Sequence, residues 1–416
     1  FRDRQFKKRR EYGWHPQHDN LADCYDLKMM LFVALALSLC PQLDEEPSKP
    51  EIDISLGCKK CDFMGAKDCS NHGKLFDAEH QVTYCSESVQ CKDCSGALLV
   101  DCNGCESGPL FVKRQQQLGK MERFIKSTTE PGVLLERELP RILTDHFDLC
   151  VTAKKMKNGS KNMDTHQLMH SMATECEAAA SLFDEHFEAQ PFNYSNRTRL
   201  WYWTSEKDHQ EVCVEILGSN GGSDLKFYGM NPAVSSFSNG YGLSNDALEV
   251  VRNAVHVSIH LMLSSVHQVS WIGNKKAGWF DVGAAHWYED KLFARVATYC
   301  IDEANSGLHY ENGQWRVAMK KYLRKNKTYI LPTLTQLTSG VLQEEQHALA
   351  WSLYDYVVAN HPAALKPMLL GYKNDVESRV LFKKHLEMNI MQVEDAWRAW
   401  VAETYPAKDI KPRKRV

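Results

Sequence analysis

Residues 254–290 read AVHVSIHLMLSSVHQVSWIGNKKAGWFDVGAAHWYED, and this stretch decides the fold of the chain. It opens with His256-Val-Ser-Ile-His260, and two histidines four residues apart on a helix can direct their rings at one metal ion. It closes with Trp279-Phe-Asp-Val-Gly283, followed by His286-Trp-Tyr-Glu289. The stretch therefore predicts either an active site or the remains of one.

The composition of the 416 residues is that of an ordinary globular protein, with 43% hydrophobic residues, 25% charged residues and a net charge of −3. This length suits two or three domains. A nearly neutral charge argues against a nucleic-acid partner, which usually needs a strongly basic face. Ten of the 14 cysteines precede residue 110, which indicates a local cysteine module.

Residues 1–50 predict an export segment followed by a linker. A basic stretch precedes the apolar run Met29–Leu39, which is too short to cross a membrane and is typical of a secretory signal. We therefore expect export to the periplasm or cell envelope and no transmembrane span in the mature protein. Leu37-Ser-Leu-Cys40 matches a lipoprotein box in part, so a lipid anchor at Cys40 is an alternative, as is a buried strand or helix.

Residues 51–108 predict a cysteine-rich zinc-binding module. Two units repeat at an offset of 33 residues and share the pattern C-K-x-C-x6-D-C-x-x-[CH]. Two such cysteine pairs complete a closed tetrahedral zinc site, which has a structural role. The predicted structural zinc ligands are Cys58, Cys61, Cys69 and His72 in the first unit, and Cys91, Cys94, Cys102 and Cys105 in the second.

Other assignments of these cysteines stay open. The second unit resembles the CxxCxG repeats of DnaJ-type chaperones and related zinc ribbons, in which ligands also pair across repeats. Cys85 is an additional thiol that could replace one of the eight ligands. Disulfides are the alternative to zinc, although repeated CxxC pairs suit a metal better than a disulfide.

Residues 109–139 predict a linking helix before the main domain, which we place at residues 140–405. Residues 164–188 predict an amphipathic helix. We expect its His166 and His170 to lie on a solvated face. Residues 143–151 predict a strand. Residues 197–203 and 211–217 are rich in aromatic and β-branched residues, and we expect them to form or flank strands.

The main domain resembles the gluzincin metallopeptidases of the peptidase-MA-like superfamily. His256-Val-Ser-Ile-His260 is similar to their HExxH motif, and Trp279-Phe-Asp-Val-Gly283 is similar to the W-L-x-E-G motif that supplies the third zinc ligand. Residues 346–358 resemble the helix that packs under the site in that family. Predicted helices at 363–371, 374–386 and 391–404 precede a basic tail at residues 406–416.

Two positions depart from the family pattern. Val257 replaces the glutamate that acts as general base, and Val282 replaces the glutamate that binds zinc. Valine cannot remove a proton from a metal-bound water, and loss of a general base costs roughly 10²–10⁴ in rate. The resemblance therefore implies a degenerate site without standard peptidase chemistry.

A rebuilt site is the alternative. His286 and Glu289 lie four and seven residues after Val282, on one helical face. His256, His260 and His286 would then bind a metal, with Glu289 as outer partner or catalytic base. His267 could pair with His260 instead, and Asp281 is a second base candidate that we expect to be a solvated helix carboxylate.

The sequence thus predicts an α+β protein with a gluzincin-like domain and a small N-terminal zinc module. The function expected for it is that of an exported, bacterial zinc-binding protein that binds a peptide or protein partner. The alternatives are a metal-dependent hydrolase at the histidine-rich site and an interaction scaffold in which the zinc module makes the contacts.

Overall fold

The structure is a computed structural model that describes residues 66–71, 84–86, 91–94, 99–102, 130–189, 197–229, 231–237, 246–298, 303 and 310–408. Its fold is mixed α+β, as predicted. The strands of these ranges are β1 (Ala66–Asp68), β2 (Tyr84–Cys85), β3 (Leu99–Asp101), β4 (Arg141–Leu143), β5 (Phe147–Val151), β6 (Lys155–Asn158), β7 (Lys161–Asp164), β8 (Thr198–Trp203), β9 (Asp224–Phe227) and β10 (Ala233–Phe237).

The helices are concentrated in the second half of the chain. Short 3-10 turns at Tyr310–Gly313, Ser339–Val341 and Pro362–Ala364 separate some of them. The helices of the described ranges are α1 (Glu130–Leu134), α2 (Thr165–Phe187), α3 (Glu206–Glu215), α4 (Ala247–Ser265), α5 (Gly278–Phe293), α6 (Trp315–Lys325), α7 (Leu331–Leu334), α8 (Glu344–Asn360), α9 (Leu365–Lys373), α10 (Ser378–His385) and α11 (Ile390–Thr404).

Six of the described strands form one sheet in the order β2-β4-β5-β8-β10-β9. The central pairs β5–β8 and β8–β10 are parallel, whereas the outer pairs are antiparallel. The edge strand β2 comes from the predicted cysteine module, so this segment joins the sheet of the main domain. The strands β1 and β3 form a separate antiparallel pair, and so do β6 and β7.

The helix α4 lies in the centre of the largest core and is buried along most of its length. Most of its buried residues are apolar, as expected for a helix in an interior position, and the buried polar ones include His256 and His260. Asp246 caps its first turn by accepting a hydrogen bond from the Leu248 amide at 2.8 Å. The helices α5 and α2 pack against it. Every side chain that α4 carries over its middle turns is therefore held in a dry environment.

Gly283 of the Trp279–Gly283 motif lets α5 approach α8 closely. A Cβ atom at this position would lie 2.6 Å from the Ala350 carbonyl oxygen and 3.1 Å from the Tyr354 Cβ. The motif also anchors the start of α5, because the Trp279 indole donates hydrogen bonds to Tyr372 and Ser378. The motif residues therefore fix the position of α5 beside α4 and α8.

Gly283→Ala is expected to destabilise the protein by about 1–3 kcal/mol, the usual cost of overpacking a well-packed core. The backbone of α8 must move to accept the methyl group, since its nearest atom is a carbonyl oxygen. Chemical denaturation of the variant and the wild type measures the difference. An unchanged free energy of unfolding would contradict this account of the close approach.

Two predicted elements differ from the structure. Residues 211–217 lie mostly in the helix α3, because Ser205 caps it and the Glu206–Glu215 segment is amphipathic. Residues 143–151 contain the end of β4 and all of β5, paired antiparallel, and do not form one strand. The predictions for 164–188 and 197–203 are confirmed as α2 and β8.

His146 connects the β4–β5 hairpin to α2 through two carboxylates. Its Nδ1 lies 2.6 Å from Glu177 Oε2, and its Nε2 lies 3.6 Å from Asp184 Oδ2. Burial alone would lower the pKa of His146, but the hydrogen bonds and charges of Asp184 and Glu177 raise it to about 10. The protonated form is thus the one that holds the hairpin to the helix.

His146→Gln is expected to lower the melting temperature most at pH 6 and least near pH 10. The pKa of His146 is higher in the folded protein than the value of about 6.5 in the unfolded chain. The protonated ring therefore contributes its full stabilisation below about pH 6.5, and this contribution is lost as the pH rises to about 10. Thermal denaturation of both proteins between pH 6 and 10 measures this. A difference independent of pH would show that His146 contributes by packing only.

Candidate metal centres

The middle of α4 carries a histidine pair that faces one carboxylate. His256 Nε2 lies 2.8 Å from Glu303 Oε2, and His260 Nε2 lies 3.1 Å from Glu303 Oε1. The two Nε2 atoms are 3.3 Å apart. The α4 helix gives this geometry, since residues four apart project their side chains in the same direction. We call His256, His260 and Glu303 the histidine centre.

The outer nitrogen of each histidine in the pair faces a further carboxylate. His260 Nδ1 lies 3.0 Å from Asp281 Oδ1, and His256 Nδ1 lies 3.6 Å from Glu289 Oε2. Both carboxylates come from α5. In metal sites such outer carboxylates accept a hydrogen bond from the Nδ1–H group, which leaves the Nε2 lone pair directed at the metal. The two Nε2 atoms of this centre converge in that way.

Asp281 and Glu289 are themselves held by other donors. Asp281 Oδ2 accepts hydrogen bonds from the Trp271 indole at 3.2 Å and from the Ser339 hydroxyl at 2.9 Å. Glu289 Oε1 accepts from the backbone amide of Ala297 at 2.8 Å and from both the amide and the hydroxyl of Thr298 at 3.1 Å. Both carboxylates are therefore fixed in place as supports for the histidine pair.

The expectation for Asp281 is wrong, because this residue is 1% exposed and is not a solvated helix carboxylate. Glu289 Oε2 lies 3.6 Å from His256 Nδ1, and its role as outer partner or catalytic base stays a prediction. The alternative partner His267 lies beyond the end of α4, where its ring donates a hydrogen bond to the Phe187 carbonyl at 2.8 Å. Val257 and Val282 are both fully buried in the core.

His286 is close to the histidine centre but has a different main partner. Its Nε2 lies 2.9 Å from Nδ1 of His347, on α8, and 3.9 Å from Glu303 Oε1. His347 Nε2 in turn lies 3.2 Å from the Glu303 carbonyl oxygen. Burial lowers the pKa of His347 to about 4 and holds that of His286 well below its usual range. These two rings are therefore neutral at neutral pH.

The three predicted histidines belong to three overlapping groups in the structure, and one of these groups consists of His256, His286 and Glu289. The ligand atoms of His256, His260 and Glu303 all lie within 4.8 Å of one another, and so do those of His286, Glu303 and His347. Glu303 belongs to both of these last two groups, although the sequence prediction did not include it. The ring centroids of His256 and His286 are nevertheless only 4.8 Å apart.

The histidine centre is dry and rich in acidic groups. His256, Glu303 and Glu289 are fully buried, and His260 and Asp281 are exposed by 2% or less. Burial raises the pKa of Glu303, but the charges and hydrogen bonds of the neighbouring histidines outweigh it, and the pKa is well below the usual range. Three buried carboxylates need positive charge close by. Two protonated imidazoles would supply it, and so would one divalent cation.

The cysteine module brings ligands together across its two repeats. Sγ of Cys69, from the first repeat, lies 3.7 Å from Sγ of Cys91, and Cys94 completes a group within 4.8 Å. The antiparallel pair β1–β3 joins the repeats, with Ala66 opposite Asp101. The described ligands therefore follow the cross-repeat alternative, and we call Cys69, Cys91 and Cys94 the cysteine centre.

The spacing of the Cys69 and Cys91 sulfurs suits a shared metal better than a disulfide. Two sulfurs that bind one tetrahedral zinc lie about 3.8 Å apart, whereas a disulfide holds them at about 2.0 Å. A hydrogen bond from the Asn71 amide lowers the pKa of Cys91 to about 6, which favours the thiolate. None of the described cysteines is in a disulfide bond. Cys102 is buried nearby but is not within the group.

Several predicted residues lie outside the described ranges, namely the export segment with Cys40, and the ligands Cys58, Cys61, His72 and Cys105. Among the described helices, none combines the length and apolar character needed to cross a membrane.

Glu303 and His347 were missed by sequence reasoning. Glu303 stands alone between α5 and α6 without a motif around it, and His347 lies in the predicted helix that packs under the site. The position of His347 on that helix was a usable signal, because a helix under the site can direct a polar side chain into it. Glu303 offered no such signal.

The comparisons with known proteins do not place the chain in a family. No protein-family model matches the sequence, and no curated protein is significantly similar to it.

Proposed function

We propose that this protein is a zinc-binding protein with a degenerate metallopeptidase-like domain, which binds a peptide or protein partner without cleaving it. The histidine centre would hold one zinc ion through His256, His260 and Glu303. The cysteine centre would hold another through Cys69, Cys91 and Cys94. Export to the cell envelope is part of the proposal and rests on the signal-like segment at residues 29–40.

One observation carries the proposal for the histidine centre. The Nε2 atoms of His256 and His260 are 3.3 Å apart and face the same carboxylate, while both Nδ1 atoms face other carboxylates. Two nitrogens that bind one tetrahedral zinc at about 2.0–2.1 Å lie about 3.3 Å apart. The donor set of two imidazoles and a carboxylate also suits zinc better than magnesium or calcium. The residues present therefore fit the ion.

The surroundings of the histidine centre favour a binding role over catalysis. Val257 offers no proton acceptor where the family has its general base, and its side chain belongs to the apolar core. Asp281 and Glu289 already accept hydrogen bonds from fixed donors. A bound zinc would polarise a carbonyl or water, but the neighbouring His286 and His347 imidazoles are already engaged with each other and with Glu303.

Metal-dependent hydrolysis is the second candidate function. It is favoured by the donor set, because two histidines and one glutamate are also the ligands of catalytic zinc in several peptidases. Glu289, 3.6 Å from His256 Nδ1, is the residue that would have to act as base. Its three hydrogen bonds from Ala297 and Thr298 are the reason for ranking this function second.

Zinc content and hydrolysis, measured on the same preparations, test the proposal. The wild type is expected to hold zinc after dialysis, to bind a fluorescent casein-peptide mixture and to leave it uncleaved. His256→Ala and His260→Ala are each expected to lose one equivalent of zinc. The control His186→Ala changes a histidine that is hydrogen-bonded to Tyr288, outside both centres, and should keep the full zinc content.

Two results would contradict the proposal. Unchanged zinc content in both His256→Ala and His260→Ala would show that the histidine centre does not bind zinc. Cleavage of the peptides that depends on His256 and on Glu289 would establish the hydrolase instead.

A further inference from the structure

A separate group of metal-ligating side chains lies at the edge of the main sheet, outside the histidine centre and the cysteine centre. Cys85 ends the strand β2, and His166 and His170 lie one turn apart near the start of α2. Cys85 Sγ lies 3.4 Å from His166 Nδ1, and the ligand atoms of all three residues lie within 4.8 Å of one another.

The fold builds this group from two directions. Cys85 is held in register opposite Ile142 of β4, and the Ser86 amide donates to the Arg141 carbonyl at 2.9 Å. On α2 the spacing of four residues places the two imidazoles edge to face on one side of the helix, with ring centroids 4.2 Å apart. A capping box of Asp164 and Gln167 fixes the first turn of this helix. The three ligands therefore come from fixed elements.

The prediction that His166 and His170 lie on a solvated helix face is wrong, because the group is largely buried. His170 is 1% exposed, Cys85 is fully buried, and His166 is partly exposed. A solvated helix face would not bury an imidazole and a thiol against each other. The group is thus dry on one side and open to solvent beside His166.

The distances and the donor types fit zinc. A thiolate sulfur and an imidazole nitrogen on one tetrahedral zinc lie about 3.5 Å apart, close to the observed separation. Thiolate and imidazole ligands select zinc over magnesium, calcium or manganese. Three protein ligands leave a fourth position for water, which the partly exposed side of His166 can admit.

We propose that Cys85, His166 and His170 bind one zinc ion that ties the cysteine-rich segment to the main domain. The strand β2 has only two residues, and a pairing this short contributes little by itself. Cys85 and His166 are 81 residues apart in the chain. A metal that bridges them closes a long loop, and cross-links of long loops restrict the unfolded chain most.

Zinc content of the full chain tests this site. Cys85→Ser, His166→Gln and His170→Gln are each expected to lower the zinc content by one equivalent, measured by mass spectrometry after dialysis with reductant. The matched controls lie on the same helix: Cys176→Ser alters a buried thiol and His186→Gln an imidazole, both outside the group. Both controls are expected to keep the full zinc content.

The variants also separate this site from the other two centres. Loss of zinc in Cys85→Ser with full zinc in both histidine variants would overturn the proposal and assign Cys85 to the cysteine centre. Full zinc in all three variants would leave an ordinary buried thiol–imidazole contact and would also overturn it. Circular dichroism verifies folding, and if His170→Gln unfolds, the partly exposed His166 decides the result. His256→Ala loses its own equivalent in the same assay, so failure of either proposal is recognised separately.

Discussion

Glu303→Gln is expected to abolish zinc binding at the histidine centre and to lower the free energy of unfolding by about 3–5 kcal/mol. Glu303 is the carboxylate on which both α4 histidines converge, at 2.8 and 3.1 Å. An amide of the same shape keeps the packing but carries no charge and is a poor metal ligand. Removing one member of a buried charged group leaves the others uncompensated, which typically costs this amount.

Zinc content and chemical denaturation of the wild type and the variant measure both effects. Glu311→Gln is the matched control, because Glu311 lies in the neighbouring segment but is exposed. It should leave the zinc content and stability unchanged. A Glu303→Gln protein that keeps its zinc equivalent would show that this carboxylate is only a hydrogen-bond partner of the two histidines.

Val257→Glu is expected to destabilise the protein by about 4 kcal/mol or more and to produce no peptidase activity. The substitution restores the HExxH letters of the resembling family, but the Val257 side chain is fully buried in the core. A carboxylate placed there must be desolvated without a positive partner, which costs several kcal/mol. For a domain of this size such a loss lowers the melting temperature by about 10 °C.

Thermal denaturation and a casein-peptide cleavage assay check this prediction. Val269→Glu introduces the same charge at a position that is 47% exposed and should change neither quantity. A stable Val257→Glu protein that cleaves peptides would mean that position 257 opens on a reaction site. That result would contradict the proposal of a degenerate site. It would show instead that the protein is a peptidase inactivated by the single replacement at position 257.

The two variants test different properties of the histidine centre. Glu303→Gln asks whether the described acidic and imidazole groups form a metal centre at all. Val257→Glu asks whether the environment of that centre still suits hydrolysis. A protein that loses zinc in the first variant and stays inactive in the second matches the proposed function.

Much of the helical half was predictable from local pattern. The capping box at Asp164, the apolar period of α2 and the long apolar run of α4 each specify a helix through residues close in sequence. The β-branched content of residues 211–217 indicates a strand or a segment that flanks one, yet a cap at Ser205 and burial of Val212 and Cys213 favour the helix. Local propensity was outweighed there by packing.

In the candidate sites too, contacts between residues close in sequence were predictable, whereas contacts between distant residues were not. The spacing of four between His256 and His260 guarantees their common direction in any helix, so this pair could be predicted. The partners of the pair could not, because Asp281, Glu289 and Glu303 reach it from α5 and from the segment after it.

The sequence by itself determined that two histidines share one face of α4, that many of the cysteines occur in CxxC motifs, and that Val257 cannot act as a base. Only the tertiary structure decided which carboxylate faces the histidine pair, that Cys69 meets Cys91 across the repeats, and that Cys85 meets His166 and His170. The physical reason is the separation of the interacting residues along the chain. Helix and turn geometry fixes neighbours within a few residues, whereas ligands tens of residues apart meet only when the core packs.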